Sequence, residues 1–296
     1  MQLSGLHILL TYRCTLECDH CFVWGTPRQT GVLAMDDVSR ILEQAWEAGI
    51  KSIYFEGGEP FLYYVELVRG VHEAAEMGFE VGIVSNAYWA VSIADAEAWL
   101  QPFVGRITDL SISSDLYHCD KCLGEESQNA IAAAKWLNIP TGMISIAQPD
   151  EAAPLVRGQL TDQAEVMYRG RAAEVLGPQH MTQQWDSLDS CPHEDLREPG
   201  RLHVDPRGNL HVCQGIIIGN LFEAPLKEIC AGYDPGAHPI CGLLLDGGPA
   251  ALISEFGLEH RPAYADACHM CYEARLALRE RFPAVLGPDQ MYGVIK

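Results

Sequence analysis

The stretch LHILLTYRCTLECDHCF, residues 6–22, joins an apolar run to three closely spaced cysteines. The run at 6–12 predicts a first buried β-strand. Cys14, Cys18 and Cys21 follow it with the spacing C-x3-C-x2-C. Ligands of parallel α/β sheets bind beyond the carboxyl ends of the strands. The sequence therefore predicts that these cysteines stand where reactive groups belong in such a fold.

Three cysteines can bind a metal centre without filling all of its coordination positions. Structural zinc sites take four protein ligands, and a [4Fe–4S] cluster normally takes four cysteines. Three ligands leave one iron of such a cluster open to a group that is not protein. The alternative is a zinc site that borrows a distant fourth ligand.

The composition of the 296-residue chain fits one large domain, or a large domain with a small one. Its net charge of −20 argues against a nucleic-acid groove and against docking on anionic membranes. No apolar run suggests a membrane span or a signal peptide. Eleven cysteines without an export signal favour metal binding over disulfides, so we expect a cytoplasmic protein.

Strands and helices alternate over the first half of the chain. The predicted strands lie at 6–12, 52–56, 80–85, 109–113, 141–147 and 165–170. The predicted helices lie at 35–48, 62–77, 92–100 and 127–137. Such alternation indicates right-handed βαβ units and a parallel sheet with about six repeats, short of an eight-fold barrel.

The pattern changes after residue 176, which divides the chain into predicted domains 1–176 and 177–296. The second begins with a polar linker and continues with a hairpin of two strands, 201–204 and 210–213, around the turn DPRGN. A short helix at 225–231 and a loop-rich stretch at 232–262 follow. A closing helix is predicted at 266–282.

The stretch EGGEP, residues 56–60, ends the second predicted strand. Gly57 and Gly58 would let the backbone approach a ligand closely, and Glu59 places a carboxylate beside them. Pro60 can open the next helix. The alternative for this stretch is a tight strand-to-helix turn.

Together, the C-x3-C-x2-C loop and the GGEP motif resemble the radical S-adenosylmethionine (SAM) enzymes. The resemblance covers residues 1–175 and implies a partial (βα)6 TIM-like barrel. It also implies that Cys14, Cys18 and Cys21 hold a [4Fe–4S] cluster whose open iron takes SAM. The cofactor contacts that it implies are Gly57, Gly58, Glu59, Ser85, Asn86, Ser113, Asp115 and Arg171. For Ser85 and Ser113 the alternative is an ordinary hydroxyl at a strand end, and for Arg171 or Arg169 a surface arginine.

The same resemblance implies the chemistry. A low-potential donor such as flavodoxin or ferredoxin would reduce the cluster, which cleaves SAM to a 5′-deoxyadenosyl radical. That radical would abstract hydrogen from a peptide or natural-product substrate. The alternatives are a small-molecule alcohol dehydrogenase, a peptide epimerase, or an iron–sulfur or zinc scaffold without catalysis.

Four later cysteines can close a second cluster: Cys191, Cys213, Cys268 and Cys271. Their order with Gly208, C…G-x4-C…C-x2-C, resembles the twitch and SPASM extensions of radical SAM enzymes, which implies a small C-terminal α+β iron–sulfur extension. No x5-C-x3-C follows Cys271, so one auxiliary cluster is expected. Cys230 and Cys241 are then spare, or one of them replaces Cys191. Zinc is the alternative metal.

Cys119 and Cys122 follow the fourth predicted strand and His118. A thiol there could return a hydrogen atom to a substrate radical or help to bind metal, which makes the pair a candidate for catalysis. The alternative is an incidental pair with no chemical role, because thiol reactivity depends on local pKa and exposure.

Overall fold

The computed structural model describes residues 1–118, 124–148 and 164–294, and the chain divides into two units. The N-terminal unit comprises Ser4–Cys18 and Gly25–Val166. The C-terminal unit comprises Met1–Leu3, Asp19–Trp24 and Met167–Lys296. The predicted domain boundary at residue 176 stays a prediction. Among the described residues, no helix is both long and apolar enough to cross a membrane.

The N-terminal unit is built on a parallel sheet. Its strands are β1 Gly5–Thr11, β2 Ser52–Gly57, β3 Glu80–Ser85, β4 Asp109–Ser113 and β5 Thr141–Ile144, in the order β5-β4-β3-β2-β1. Its helices are α1 Met35–Glu47, α2 Tyr64–Glu76, α3 Ile93–Leu100 and α4 Glu125–Trp136. The predicted α/β class with a mostly parallel sheet is confirmed.

Apolar periodicity explains these elements. Strand β1 is buried along nearly its whole length, as expected for a strand in a parallel sheet. Helix α1 buries Val38, Ile41, Leu42 and Ala45, which share one helical face. The parallel register of β1, β2 and β3 brings their carboxyl ends, and the loops that follow, to one edge of the sheet.

The predicted sixth strand at 165–170 is not formed in the part of the chain that the structure describes. An isolated parallel bridge joins Ile146 to Ala164 instead. The Tyr168 amide donates to Asp266 Oδ2 at 3.2 Å, so it bonds to a side chain rather than to a neighbouring strand. This partner lies about a hundred residues along the chain, which local pattern could not reveal.

The C-terminal unit combines short strands with helices. Its strands are β6 Gln183–Gln184, β7 Arg201–Val204, β8 Asn209–Cys213, β9 Ile216–Asn220 and β10 Ala263–Tyr264. Strands β7, β8 and β9 pair antiparallel in that order, and β6 pairs with β10. Its helices are α5 Arg171–Val175, α6 Leu226–Gly232, α7 Cys241–Phe256 and α8 Ala267–Leu278.

The predicted hairpin between β7 and β8 is present, and Asp205 organises its turn. The fully buried carboxylate accepts hydrogen bonds from the Arg207 and Asn209 amides at 2.8 and 3.0 Å. His211 Nε2 lies 3.1 Å from its other oxygen. Gly208 has φ +80°, a conformation that glycine adopts without a steric cost.

The stretch 232–262, predicted to be loop-rich, contains helix α7. Its helical geometry is interrupted at Gly247 and Gly248. Gly248 has φ +59°, and a Cβ there would lie 2.2 Å from the Ser190 amide nitrogen. The Gly-Gly-Pro sequence at 247–249 is typical of a loop, but in the structure it forms a kink within a helix. The predicted loop-rich stretch was therefore wrong over this helix.

Candidate functional site

A buried carboxylate joins the loops that follow β2 and β3. Glu59 is completely buried, and its Oε1 accepts hydrogen bonds from the Phe61 amide at 3.1 Å and the Ser85 hydroxyl at 3.0 Å. Its Oε2 accepts one from the backbone amide of Asn86 at 2.8 Å. Three of the predicted site residues, Glu59, Ser85 and Asn86, therefore lie in one network, in which Glu59 contacts protein donors.

The environment of Glu59 shifts its pKa upward. Burial raises the pKa from its usual 4.5 to about 7, although the hydrogen bonds from Asn86, Phe61 and Ser85 oppose the shift. The folded protein therefore prefers the protonated carboxyl more strongly than the unfolded chain does.

Gly57 and Gly58 are required by the neighbouring backbone. A Cβ at Gly57 would lie 2.3 Å from the Thr11 carbonyl oxygen, and one at Gly58 would lie 2.1 Å from that of Arg13. The Gly58 amide donates to the Thr11 carbonyl at 2.7 Å, and the Glu59 amide donates to the Arg13 carbonyl at 2.9 Å. The GGEP loop thus lies directly against the backbone that leads into Cys14.

Polar donors also reach the first cysteine of the loop. Asn86 Nδ2 lies 3.5 Å from Cys14 Sγ and 3.0 Å from Thr15 Oγ1, and the Leu16 amide lies 3.4 Å from the same sulfur. N–H groups aimed at a sulfur suit a thiolate that ligates a metal. Cys14 and Cys18 are buried in the N-terminal unit. These residues fit an iron–sulfur ligand role.

Asp115 forms a second buried junction in the N-terminal unit. Its fully buried carboxylate accepts hydrogen bonds from the Tyr117 and Ile146 amides at 2.9 and 3.1 Å, and His118 Nδ1 lies 2.7 Å away. It therefore ties together the loops after β4 and β5. The cofactor contacts of Ser113 and Asp115 stay predictions, and Cys119 and Cys122 lie outside the described residues.

In the C-terminal unit, residues 169–171 pack against Cys21. The Arg171 amide donates to the Cys21 carbonyl at 3.0 Å, and the buried Arg171 guanidinium lies 5.1 Å from the Trp24 ring. Gly170 has φ +61°, and a Cβ there would lie 2.5 Å from the Phe22 carbonyl oxygen. The predicted cofactor contact of Arg171 stays a prediction.

The four later cysteines line one cavity of the C-terminal unit. Cys213 ends β8, and Cys268 and Cys271 lie on the first turns of α8. The Asp266 carboxylate caps this helix by accepting a hydrogen bond from the His269 amide at 2.7 Å. Helix, strand and the segment at Cys191 therefore bring the predicted tetrad together.

The thiols influence one another electrostatically. Burial and, to a smaller extent, the charges of nearby Cys213 and Cys271 raise the pKa of Cys191 to about 11. Burial also raises the pKa of Cys241 to about 12, and the same three cysteines contribute. Such thiols become thiolates when they bind a cationic metal. The structure thus adds Cys241 to the neighbourhood of the tetrad.

Cys230 has different neighbours. Burial raises the pKa of its thiol, and the N-terminal ammonium opposes that shift. The ammonium of Met1 also donates to the Cys230 carbonyl at 3.1 Å. Of the two cysteines that the sequence left unassigned, Cys241 is therefore the one beside the tetrad.

Two arginines line the same cavity, Arg169 and Arg275. Arg275 is almost completely buried, and its guanidinium donates to the Gln214 carbonyl and to the Cys271 carbonyl, the latter at 3.3 Å. Buried charges in proteins are normally paired. Four thiolates around a metal centre carry net negative charge, so these two cations suit such a group.

Residues 8–102 match the family model of the radical SAM superfamily. The matched segment contains the C-x3-C-x2-C loop and the GGEP motif, and the backbone of the motif is hydrogen-bonded to Thr11 and Arg13, just before Cys14. This chain carries a radical SAM domain. The radical SAM domain includes the Glu59 network and its contact with Cys14.

Curated relatives match this chain over part of their length. The GTP 3′,8-cyclase of Listeria welshimeri is 32% identical over 124 residues, which are 39% of this chain and 34% of that protein. YydG of Bacillus subtilis, provisionally designated a peptide biosynthesis protein, is 28% identical over 120 residues, 40% of this chain and 38% of that protein. The chain spans about a third of the length of the curated relatives that it matches.

A solved structure matches over nearly the whole chain. It is anSMEcpe with bound AdoMet and the Cp18Cys peptide, with 12% sequence identity and a TM-score of 0.49. The match covers 96% of this chain and 97% of that one.

Replacing Gly58 with alanine should destabilise the radical SAM domain, because the new Cβ would meet the backbone oxygen of Arg13 at 2.1 Å. We expect the free energy of unfolding to fall by about 1–3 kcal/mol in urea titrations. Gly232→Ala is the matched control, since a Cβ there meets nothing within 4 Å. Equal losses in both variants would contradict the tight contact at Gly58.

Replacing Glu59 with alanine leaves three donors without their acceptor, two of them buried and the Asn86 amide partly buried. At pH 5 we expect the free energy of unfolding to fall by about 2–4 kcal/mol. The loss should be smaller at pH 8, because the raised pKa of Glu59 makes its ionisation destabilise the folded wild type between pH 4.5 and about 7.

Urea titrations at both pH values check this expectation. Glu43→Ala is the control, because Glu43 is exposed on α1. A loss for Glu59→Ala that grows with pH would show that burial does not dominate the pKa of this carboxyl.

Proposed function

We propose that this protein is a radical SAM enzyme that acts on a peptide or natural-product substrate. Cys14, Cys18 and Cys21 would hold a [4Fe–4S] cluster, with SAM at its open iron. The bound cluster and SAM would supply an electron and a 5′-deoxyadenosyl radical that abstracts hydrogen from the substrate. The observation that carries this proposal is the direct hydrogen bonding of the GGEP loop to the backbone of Thr11 and Arg13, which leads into the cysteine loop, within the segment that matches the family.

The protein's own contribution would be to fix these loops before the reaction. Glu59 ties Ser85 and Asn86 to the GGEP loop, and Asn86 directs an N–H group at Cys14 Sγ. A hydrogen bond to a ligating sulfur tunes the reduction potential of the centre. Gly57 and Gly58 would present backbone groups near SAM, and Ser113, Asp115 and Arg171 are its further proposed contacts.

Cys191, Cys213, Cys268 and Cys271 would hold a second [4Fe–4S] cluster in a twitch or SPASM-like extension, within residues 177–296. Their common cavity and its two arginines support this proposal. A fully ligated cluster cannot bind SAM, so it would carry an electron to or from the substrate radical. That role suits a net oxidation of the substrate, such as a dehydrogenation or a new cross-link.

A peptide or small natural product is favoured over a nucleoside triphosphate as substrate. The chain has a net charge of −20, which repels a triphosphate. The relative YydG supports a role in peptide biosynthesis. Alcohol dehydrogenation and peptide epimerisation are alternatives within the same superfamily. We further propose a cytoplasmic location, where thiols stay reduced, with flavodoxin or ferredoxin as the electron donor.

Turnover of SAM tests the proposed activity. Anaerobically reconstituted protein with dithionite should convert SAM to 5′-deoxyadenosine, which chromatography can quantify. The Cys14→Ala protein should give no nucleoside above the level without enzyme, because it lacks a ligand of the SAM cluster. If the wild-type protein also gave none, a non-catalytic scaffold would be the better description.

Metal content tests the second cluster. A variant with Cys14, Cys18 and Cys21 all replaced by alanine should keep about four irons per chain. Iron and zinc contents are both measured in the same anaerobic samples. Adding Cys230→Ala should not change that count, because Cys230 lies beside the N-terminus. Zinc in place of iron, or loss of all metal, would disprove the auxiliary cluster.

A further inference from the structure

Arg169 lies between an acidic side chain and one of the four thiols. Its Nη1 donates to Glu194 Oε1 at 2.7 Å and lies 3.9 Å from Cys213 Sγ. The Arg169 side chain is only 11% exposed, against 22% for Glu194. An arginine cannot lose its proton in a protein, so a permanent positive charge stands at the edge of the four-cysteine cavity.

The surrounding structure holds this guanidinium in place. Its central carbon lies 5.2 Å from the centre of the Phe22 ring. The Arg169 amide donates to the Met167 carbonyl at 2.8 Å, and the next turn is fixed by the Arg171 amide on the Cys21 carbonyl. Gly170 permits this close packing, since a Cβ would meet the Phe22 carbonyl oxygen. The charge near Cys213 is therefore preorganised.

We propose that Arg169 is a positioning residue that raises the reduction potential of the centre held by Cys191, Cys213, Cys268 and Cys271. This inference rests on the proposed auxiliary cluster. Reduction adds one electron from an external low-potential reductant, takes the core from 2+ to 1+, and moves no proton. The reduced centre carries one more negative charge, so a fixed cation and an N–H donor beside Cys213 Sγ stabilise it.

Glu194 opposes this effect. Its carboxylate bonds to the same Nη1 that points toward Cys213, so it offsets part of the positive charge. Removing the charge of Arg169 should lower the potential, and removing the charge of Glu194 should raise it. A purely structural pair would shift the potential in one direction in both variants, because either loss would loosen the same site.

The test is a redox titration followed by electron paramagnetic resonance. The background is the full chain with Cys14, Cys18 and Cys21 replaced by alanine, so that only the second cluster contributes. We expect Arg169→Met to lower the equilibrium constant for reduction at least about tenfold, which is about 59 mV toward more negative potential. Arg169→Lys should lower the potential by less than Arg169→Met does, because lysine keeps the positive charge but lacks the fixed planar N–H geometry of the guanidinium group.

Two further variants complete the series. Glu194→Gln should shift the potential in the positive direction. Arg201→Met should leave it unchanged, because Arg201 is exposed on β7 and its loss alters the net charge by the same amount as Arg169→Met.

The outcomes separate this inference from the proposed function. An Arg169→Met protein with full iron and an unshifted potential would overturn the role of Arg169 and leave the second cluster standing. A background without iron would overturn the cluster and, with it, the role of Arg169. If Arg169→Met cannot retain iron, Glu194→Gln decides, and a negative shift or none would overturn the inference.

Discussion

The buried carboxylate of Glu59 holds the loop after β2 to the loop after β3. Taking a carboxylate out of water is costly unless donors replace its hydration, and here the backbone amides of Phe61 and Asn86 and the hydroxyl of Ser85 offset part of that cost. Because Asn86 also reaches Cys14 Sγ, the network extends to the cysteine loop. Order at this edge of the sheet therefore depends on one side chain that contacts three separate donors.

The glycines of the same loop impose a complementary constraint. Gly57 and Gly58 leave no room for a Cβ between the GGEP loop and the backbone at Thr11 and Arg13. The carboxylate fixes the loop from one side and the backbone contact fixes it from the other. A loop held in this way has few alternative positions, which is the preorganisation that a cofactor site needs.

Two arginines bring positive charge to the cavity of the four cysteines in the C-terminal unit. The whole chain carries −20, yet Arg169 and Arg275 line the cavity of the four cysteines. Since a metal–thiolate centre is anionic, its burial would be costly without such cations. Glu194 forms an ion pair with Arg169 and offsets part of its charge. The electrostatic environment of this cavity therefore follows from its nearest charged groups rather than from the net charge of the chain.

Local patterns predicted most elements of the first half of the chain. The buried face of α1 and the apolar run of β1 follow directly from residue spacing. The predictions were less accurate where distant partners decide. In the segment 165–170, the Tyr168 amide donates to Asp266. The kink of α7 at Gly248 packs against the Ser190 backbone. Strand β9 was not predicted, and it pairs with β8.

The sequence by itself determined the alternation of strands and helices, the spacing of Cys14, Cys18 and Cys21, and the glycines beside Glu59. These features are local, because neighbouring residues set helical and strand periodicity and the reach of a short cysteine loop. Only the tertiary structure decided that Glu59 accepts from Asn86, that Cys241 lies beside the tetrad, and that Arg169 reaches Cys213. Those partners are brought together by packing of distant segments, which no short window of sequence encodes.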